Sequence, residues 1–250
     1  MPDYQALLEA LRPLVKPCVE MKLIPVERLY GRKLSRLESK FGGEPYLPKG
    51  EPWPVCAACG HGLTFICQFD LFSAGYHLPD RARLFTFFYC WKCMPWGDMD
   101  ETPGMWQARF YGGKLESEVL EPIVPQPDDR ALNECLVEFS PAMSFPHNFS
   151  LYLYSPKASE ILDEFYDLQV QDYEVYARAV LELGGINEDI SHLGGYPDWD
   201  QQHESYAPLD YFGTLAMQDE ANLMFGDAGH ANFFISPRGS TVERLMIQSG

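Results

Sequence analysis

The residues of this chain best suited to chemistry are four cysteines in two Cys-x-x-Cys pairs, Cys56/Cys59 and Cys90/Cys93. Each pair places two sulfurs on one tight turn, and two such turns supply the four thiolates that Zn²⁺ takes tetrahedrally at about 2.3 Å. In Cys56-Ala57-Ala58-Cys59-Gly60 the small residues permit the turn, and Gly60 lets backbone amides point at sulfur. Cys90-Trp91-Lys92-Cys93 closes an aromatic run and lacks that glycine. Thirty residues separate Cys59 from Cys90, more than the usual zinc-ribbon spacing, so the chain must fold back on itself for the pairs to share an ion. Four protein ligands leave no open position, and the expectation is one structural Zn²⁺ per chain rather than a catalytic metal. Free or redox-active thiols are the alternative, and His61 is a spare ligand.

Other residues invite a ligand or a partner. Gln68 and Gln218 each end an apolar run, where a buried amide must find hydrogen bonds. Each either bonds the backbone of its own Gly-Gly turn or contacts a ligand. Trp53, held between Pro52 and Pro54, is expected at a surface groove, and Trp199 stands in a comparable place later in the chain. Asp227 and His230, in Gly226-Asp227-Ala228-Gly229-His230, with Asp200 and His203 nearby, are the main grouping that suggests an enzyme; Cys67 with a distant histidine is another, although a thiol inside an apolar run is more often inert core. Asp227 equally suits a turn that it caps itself. No Gly-x-Ser-x-Gly elbow, phosphate loop or His-Glu-x-x-His motif is present.

The elements that position these residues read as follows. Asp3 caps a helix with Tyr4, Leu7, Leu8, Leu11 and Val15 on its apolar face, its end blurred by Pro13 and Pro17. Cys18–Val26, Leu63–Phe69, Leu84–Tyr89, Cys135–Phe139 and His230–Ile235 read as strands. The basic stretch from Arg28 to Lys40 leads into Gly42-Gly43-Glu44-Pro45, a turn and extended segment. Residues 118–129, with three prolines, read as a hinge or connection. Ser155-Pro156 starts a helix that runs to Gly184-Gly185, with a break near Gln171.

The order of features repeats. Gly194-Gly195-Tyr196-Pro197 echoes Gly42-Gly43-Glu44-Pro45, and the run ending in Gln218-Asp219 echoes that ending in Gln68-Phe69-Asp70. An aromatic strand follows each. The expected architecture is therefore α+β and internally duplicated: two related, largely antiparallel β-sheet units with peripheral helices in one compact body. The pseudo-repeats span about 19–125, which holds the cysteines, and 126–250.

Charge separates the halves. Residues 1–125 carry 14 basic and 15 acidic side chains, whereas residues 126–250 carry 5 and 21. So acidic a half repels phosphate backbones, which argues against direct nucleic-acid binding and favours a basic protein or peptide partner, or serves as a solubilising surface. Seven cysteines, an odd number, fit a reducing compartment, and the first residues carry no cleavable signal pattern. No apolar run approaches the 18 or so residues needed to span a bilayer. A soluble cytoplasmic protein is expected.

Gly-Gly-x-Pro-Tyr-Leu-Pro, Trp-Pro, Cys-x-x-Cys, Leu-Thr-Phe-Ile-x-Gln-Phe-Asp-Leu, the second Gly-Gly-Tyr-Pro and Phe-Gly-Asp-Ala-Gly together resemble the YwqG-type bacterial family of unknown function, over about Val19 to Gln248. The cysteine pattern is also similar to that of the eukaryotic programmed-cell-death-protein-2 family, grouped with it as the TYPP domain. The resemblance implies a duplicated α+β domain and a role in protein–protein interaction, with the eukaryotic relatives acting as chaperones for a ribosomal protein. It also implies Cys56, Cys59, Cys90 and Cys93 as zinc ligands, and Gln68 and Gln218 as structural marks. This chain has one cysteine set where two repeats would allow two. The functional expectation is a non-enzymatic protein- or peptide-binding module, chaperone-like, with a structural zinc. The alternatives are an immunity-type protein neutralising a toxin and an enzyme using Asp227 and His230.

Overall fold

A computed structural model describes residues 3–96, 104–115, 130–167, 172–186, 190–199, 208–239 and 241–249. Ten strands form one continuous, antiparallel sheet: β1 (Lys16–Pro25), β2 (Lys40–Phe41), β3 (Thr64–Asp70), β4 (Ala82–Tyr89), β5 (Trp106–Gly112), β6 (Cys135–Ser144), β7 (His192–Gly194), β8 (Asp210–Leu215), β9 (His230–Ile235) and β10 (Val242–Gln248). Their order is β10-β9-β8-β7-β1-β6-β2-β3-β4-β5. The sheet curls into a nearly closed barrel, so that the β2–β5 wing and the β7–β10 wing meet across an aromatic core. Phe85 lies 4.9 Å from Phe212 and Phe87 4.8 Å from Phe233, ring centre to ring centre. Because β4 is covered on both faces, Leu84 to Tyr89 is an unbroken apolar and aromatic run apart from Thr86.

Two sheet units were expected, and the observed sheet is one. β1 and β6 join its two sides at the centre. β1 pairs along its whole length with β6, from Lys16 opposite Ser144 to Pro25 opposite Cys135, but its other edge receives β7, from the far end of the chain. β6 in turn receives β2. Exchanging β1–β5 with β6–β10 therefore leaves the strand order unchanged when read from the other end. The register keeps the same relation: Met21 N–H donates to Ser191 O at 2.9 Å, and Val137 N–H to Ser39 O at 3.0 Å. Pro141 lies opposite Val19 of β1, but its nitrogen faces the other edge, like the Val137 N–H that donates to Ser39 O, and there the short β2 pairs only with Cys135 and Leu136, so no ladder bond is lost.

The helices pack on a second core, built from Leu7, Leu8, Leu11, Leu151, Leu162, Tyr176 and Val180 around Phe145. α1 (Tyr4–Leu11) starts where Asp3 Oδ1 accepts from Gln5 N and Ala6 N. Val15 falls outside it, because Pro13 ends the helix in a 3₁₀ turn. A short α2 (Leu151–Tyr154) precedes α3 (Pro156–Asp167), whose first turn is capped by Ser155 Oγ accepting from Ala158 N. α4 (Asp172–Glu182) ends at Gly184, in the left-handed region. The expected break near Gln171 and the 118–129 connection lie outside the described residues. No helix among the described residues is long and apolar enough to cross a membrane.

Candidate metal centre

The sheet brings the two cysteine pairs together. Cys56 and Cys59 lie in the connection from β2 to β3, and Cys90 and Cys93 follow the end of β4. β3 and β4 are neighbours, with Thr64 opposite Tyr89, so each pair projects from the same end of one ladder. Both pairs fold as the same turn: Gly60 N–H donates to Cys56 O at 2.9 Å, and Met94 N–H donates to Cys90 O at 2.9 Å. Gly60 has φ +76°, and Met94, with φ +45°, takes the left-handed position where the second pair has no glycine. Further backbone bonds fix the turns. Cys56 N–H donates to His61 O, Ala57 N–H to Gly104 O and Cys90 N–H to Met105 O, at 2.8, 3.0 and 3.0 Å.

All four Sγ atoms lie within 4.8 Å of one another. Cys56 Sγ is 3.8 Å from Cys93 Sγ, and Cys59 Sγ is 3.6 Å from Cys90 Sγ. An ion bound tetrahedrally to four sulfurs at about 2.3 Å would separate them by about 3.8 Å, so the donor set fits a Cys₄ metal centre. Cys56 and Cys90 are buried and Cys59 and Cys93 half-buried, which gives the cluster an inner and an outer pair. The thiols differ in acidity. The His61 backbone amide, donating to sulfur, pushes Cys59 down to about 6. Burial pushes Cys90 up strongly and Cys93 up to about 11. His61 stands outside the sulfur set: Nδ1–H donates to Cys59 O at 3.1 Å, which leaves Nε2 to accept from Lys92 Nζ at 3.4 Å.

The other residues singled out in the sequence fall elsewhere. Trp53 is half-buried, edge-on to Phe88, and its indole N–H donates to Leu63 O at 2.8 Å. It lines a groove of about 380 Å³ with Pro52, Pro54, Gln107 and Arg109. Gln68 is fully buried, and its amide serves the backbone: Oε1 accepts from Tyr46 N, and Nε2 donates to Arg36 O and Glu38 O. It ties β3 to its own Gly-Gly turn, with both amide hydrogens taken up by backbone carbonyls. Gln218 is not its counterpart. It lies beyond β8, and Nε2 donates to Ser191 Oγ at 2.9 Å, not to the second Gly-Gly turn. The register shows why: Lys40 pairs with Gln68 as His192 pairs with Thr214, so Thr214 occupies the matching place and the sequence echo is four residues out. Trp199 is 1% exposed and stacks on Phe234, so it packs the barrel instead of offering a surface. Asp227 is exposed in its turn while His230 is buried in β9, and Asp200 and His203 lie outside the described residues.

Two further features lie outside these residues. One is a buried polar network around His192, whose ring nitrogens lie 2.7 Å from Ile190 O and 3.0 Å from Tyr196 O. Tyr211 OH, Thr214 and Asn232 extend it, and Asn232 Nδ2 donates to Asp198 O. The other is Trp96, 52% exposed just after the second pair.

The family described as a domain of unknown function (DUF1963) matches residues 39–241, about four-fifths of the chain and all four cysteines. The chain belongs to this family. No curated protein matches the sequence. Membership in DUF1963 assigns neither an activity nor a ligand, so the functional reading rests on the site.

Proposed function

We propose that this DUF1963 protein is a non-enzymatic, cytoplasmic protein-binding module, chaperone-like, which carries one structural Zn²⁺ on Cys56, Cys59, Cys90 and Cys93 and engages a basic protein or peptide. The observation that carries the reading is the convergence of the two turns, with sulfur separations of 3.6 and 3.8 Å that suit a tetrahedral ion. The zinc holds the β3–β4 end in shape and leaves no position open for substrate. The partner class follows from charge: 21 acidic against 5 basic side chains in residues 126–250. Part of that charge lies on the helices α2, α3 and α4, where Glu160, Asp163, Glu164 and Glu174 are exposed, as are Tyr152, Tyr166 and Tyr173. Acids interleaved with tyrosines suit lysine- and arginine-rich segments, through ion pairs and cation–π contacts.

We also read the chain as two copies of one five-stranded unit, as in the YwqG-type and TYPP resemblance. The exchanged β1 and β6, the matching short strands β2 and β7 beside glycine pairs, and Lys22 directly opposite Glu138 at the centre of the reversal support it.

Elemental analysis of protein purified without chelator tests the metal, with about one zinc per chain expected and none in Cys56→Ser. Titration with an arginine- and lysine-rich peptide tests the partner class. Binding should weaken with salt and in a Glu160→Gln, Asp163→Asn, Glu164→Gln variant. Indifference to both changes would rule out the acidic surface as the docking site.

A further inference from the structure

The cysteine cluster stands at a seam. Its second turn runs on into Met94-Pro95-Trp96, and this segment crosses from the first wing to the far edge of the second. Ile247 N–H, on β10, donates to Trp96 O at 3.1 Å. β10 is the terminal strand of the sheet and pairs with β9. In an antiparallel pair alternate amides point away from the partner strand, so Ile247 faces outward and Met246 and Gln248 face β9. The outward amide is the one that Trp96 takes up. Four more contacts hold the crossing. Trp91, between Cys90 and Cys93, stacks on Phe225 of the second wing at 5.6 Å, and the Arg130 guanidinium lies 4.4 Å from the centre of the same indole. Tyr89 OH donates to Pro95 O at 2.8 Å, which anchors the crossing segment to β4. At Gly226 a side chain would come within 3.4 Å of the Trp96 indole, so the ring rests against that turn.

We propose that the cysteine cluster is a metal-dependent latch on the barrel: an ion on the four sulfurs fixes the second turn, and the second turn holds Met94–Trp96 over the outer edge of β10. An ion held by both pairs ties the 90–93 turn to the 56–59 turn, and with it the start of the crossing segment. Without the ion, the outer sulfurs of Cys59 and Cys93 lose their common anchor, and the crossing depends on the Trp91 contacts, the Tyr89 bond to Pro95 O and the seat of Trp96 against Gly226. The edge of β10 is then free, and an unpaired edge is a strand-pairing hazard that proteins cover. The latch rests on the metal reading above.

Residue-resolved hydrogen exchange on the full chain tests it, with metal content measured on the same samples. Removing zinc with a chelator should speed exchange at the Ile247 amide at least about tenfold while Met246 and Gln248 change less than about threefold, and added zinc should restore it. Unchanged exchange at Ile247 after the metal has left overturns the latch but not the metal site. Absence of metal from the purified protein overturns both. If chelation speeds all three amides together, the Trp96→Ala variant decides, since that side chain is half exposed and lies outside the cluster. Faster exchange at Ile247 with one zinc retained supports the latch, and an unchanged rate overturns it.

Discussion

The two wings build one register with different chemistry at its centre. Where β2 meets β3, the residue opposite Gln68 is Lys40, 1% exposed, which donates to Ser35 O at 3.0 Å with Glu134 at 3.6 Å. Where β7 meets β8, the residue opposite Thr214 is His192, also 1% exposed, between two carbonyls with Asp198 at 3.9 Å. The first wing meets its buried Lys40 and Gln68 with loop backbone. The second uses a chain of side chains, Tyr211, Thr214 and Asn232. A buried polar position can therefore change identity without moving the strands, provided that each group still finds partners. The wings also differ in what they add: β9 turns directly into β10 through Ser236 and Thr241, whereas the β4–β5 connection carries the second cysteine pair.

The largest break in the comparison should come from the metal, because only the first wing carries the cysteine pairs. Cys56→Ser, or chelation, is expected to cost more than about 4 kcal/mol, in line with other losses of a structural metal. At about 2–4 °C per kcal/mol for a chain of this size, the thermal midpoint should fall by at least about 8 °C. A midpoint unchanged by chelation would mean that the sulfurs sit together without an ion doing structural work.

Gln68 comes next. Gln68→Leu removes three hydrogen bonds at once, to the Tyr46 amide and to the Arg36 and Glu38 carbonyls, a cost of about 3 kcal/mol or more. Thr214→Val, at the matching place, should cost about 2 kcal/mol through its bonds to Asn232 and Tyr211. Gln218→Ala, half-buried beyond the strand, should cost under about 1 kcal/mol. Urea midpoints for the three variants check the order, and a Gln218 effect equal to that of Gln68 would restore the pairing suggested by the sequence echo.

The position of that echo marks the limit of what the sequence discloses. Features that depend on a few neighbouring residues are legible: the Asp3 and Ser155 caps, the aromatic strands β4 and β9, and the two cysteine turns. What depends on distant pairing is not. Nothing local to Lys16–Pro25 reveals that β1 lies between β6 and β7, and a four-residue offset in β8 cannot be seen without its partner strand. β10 escapes notice because Glu243 and Arg244 interrupt its apolar residues, which show one face only once Val242, Leu245 and Ile247 are seen to turn inward. Trp199 misleads because a tryptophan near a glycine-proline turn looks the same whether it lines a groove or fills a core. Only the stack on Phe234 separates the two.

Metal uptake should depend on pH with a sign set by the cluster. Cys90 and Cys93 have raised pKa values in the metal-free fold, so near neutrality both hold protons that a bound ion must displace. Cys59, lowered to about 6, is already ionised above that pH and contributes no further proton there. Releasing at least two protons makes the apparent affinity rise at least about 100-fold per pH unit between pH 7 and 8. Competition with a chromophoric chelator at several pH values measures the slope, and a flat profile would show that the thiols are ionised before the ion arrives.

The smallest effect should come from making the two cysteine turns alike. Met94 holds the left-handed conformation that Gly60 holds in the first turn, and its side chain is 49% exposed, so its packing contributes little. A non-glycine residue there costs about 1–2 kcal/mol, while glycine costs about 0.5–1 kcal/mol in unfolded-state entropy. Met94→Gly is therefore expected to raise stability by under about 1 kcal/mol with one zinc retained, and Gly60→Met to lower it by a similar amount. Thermal midpoints of the zinc-loaded variants check both. Destabilisation by Met94→Gly would mean that the second turn draws rigidity from Met94, as a turn leading into the Trp96 crossing would require, and that the two turns share a backbone shape but not a task.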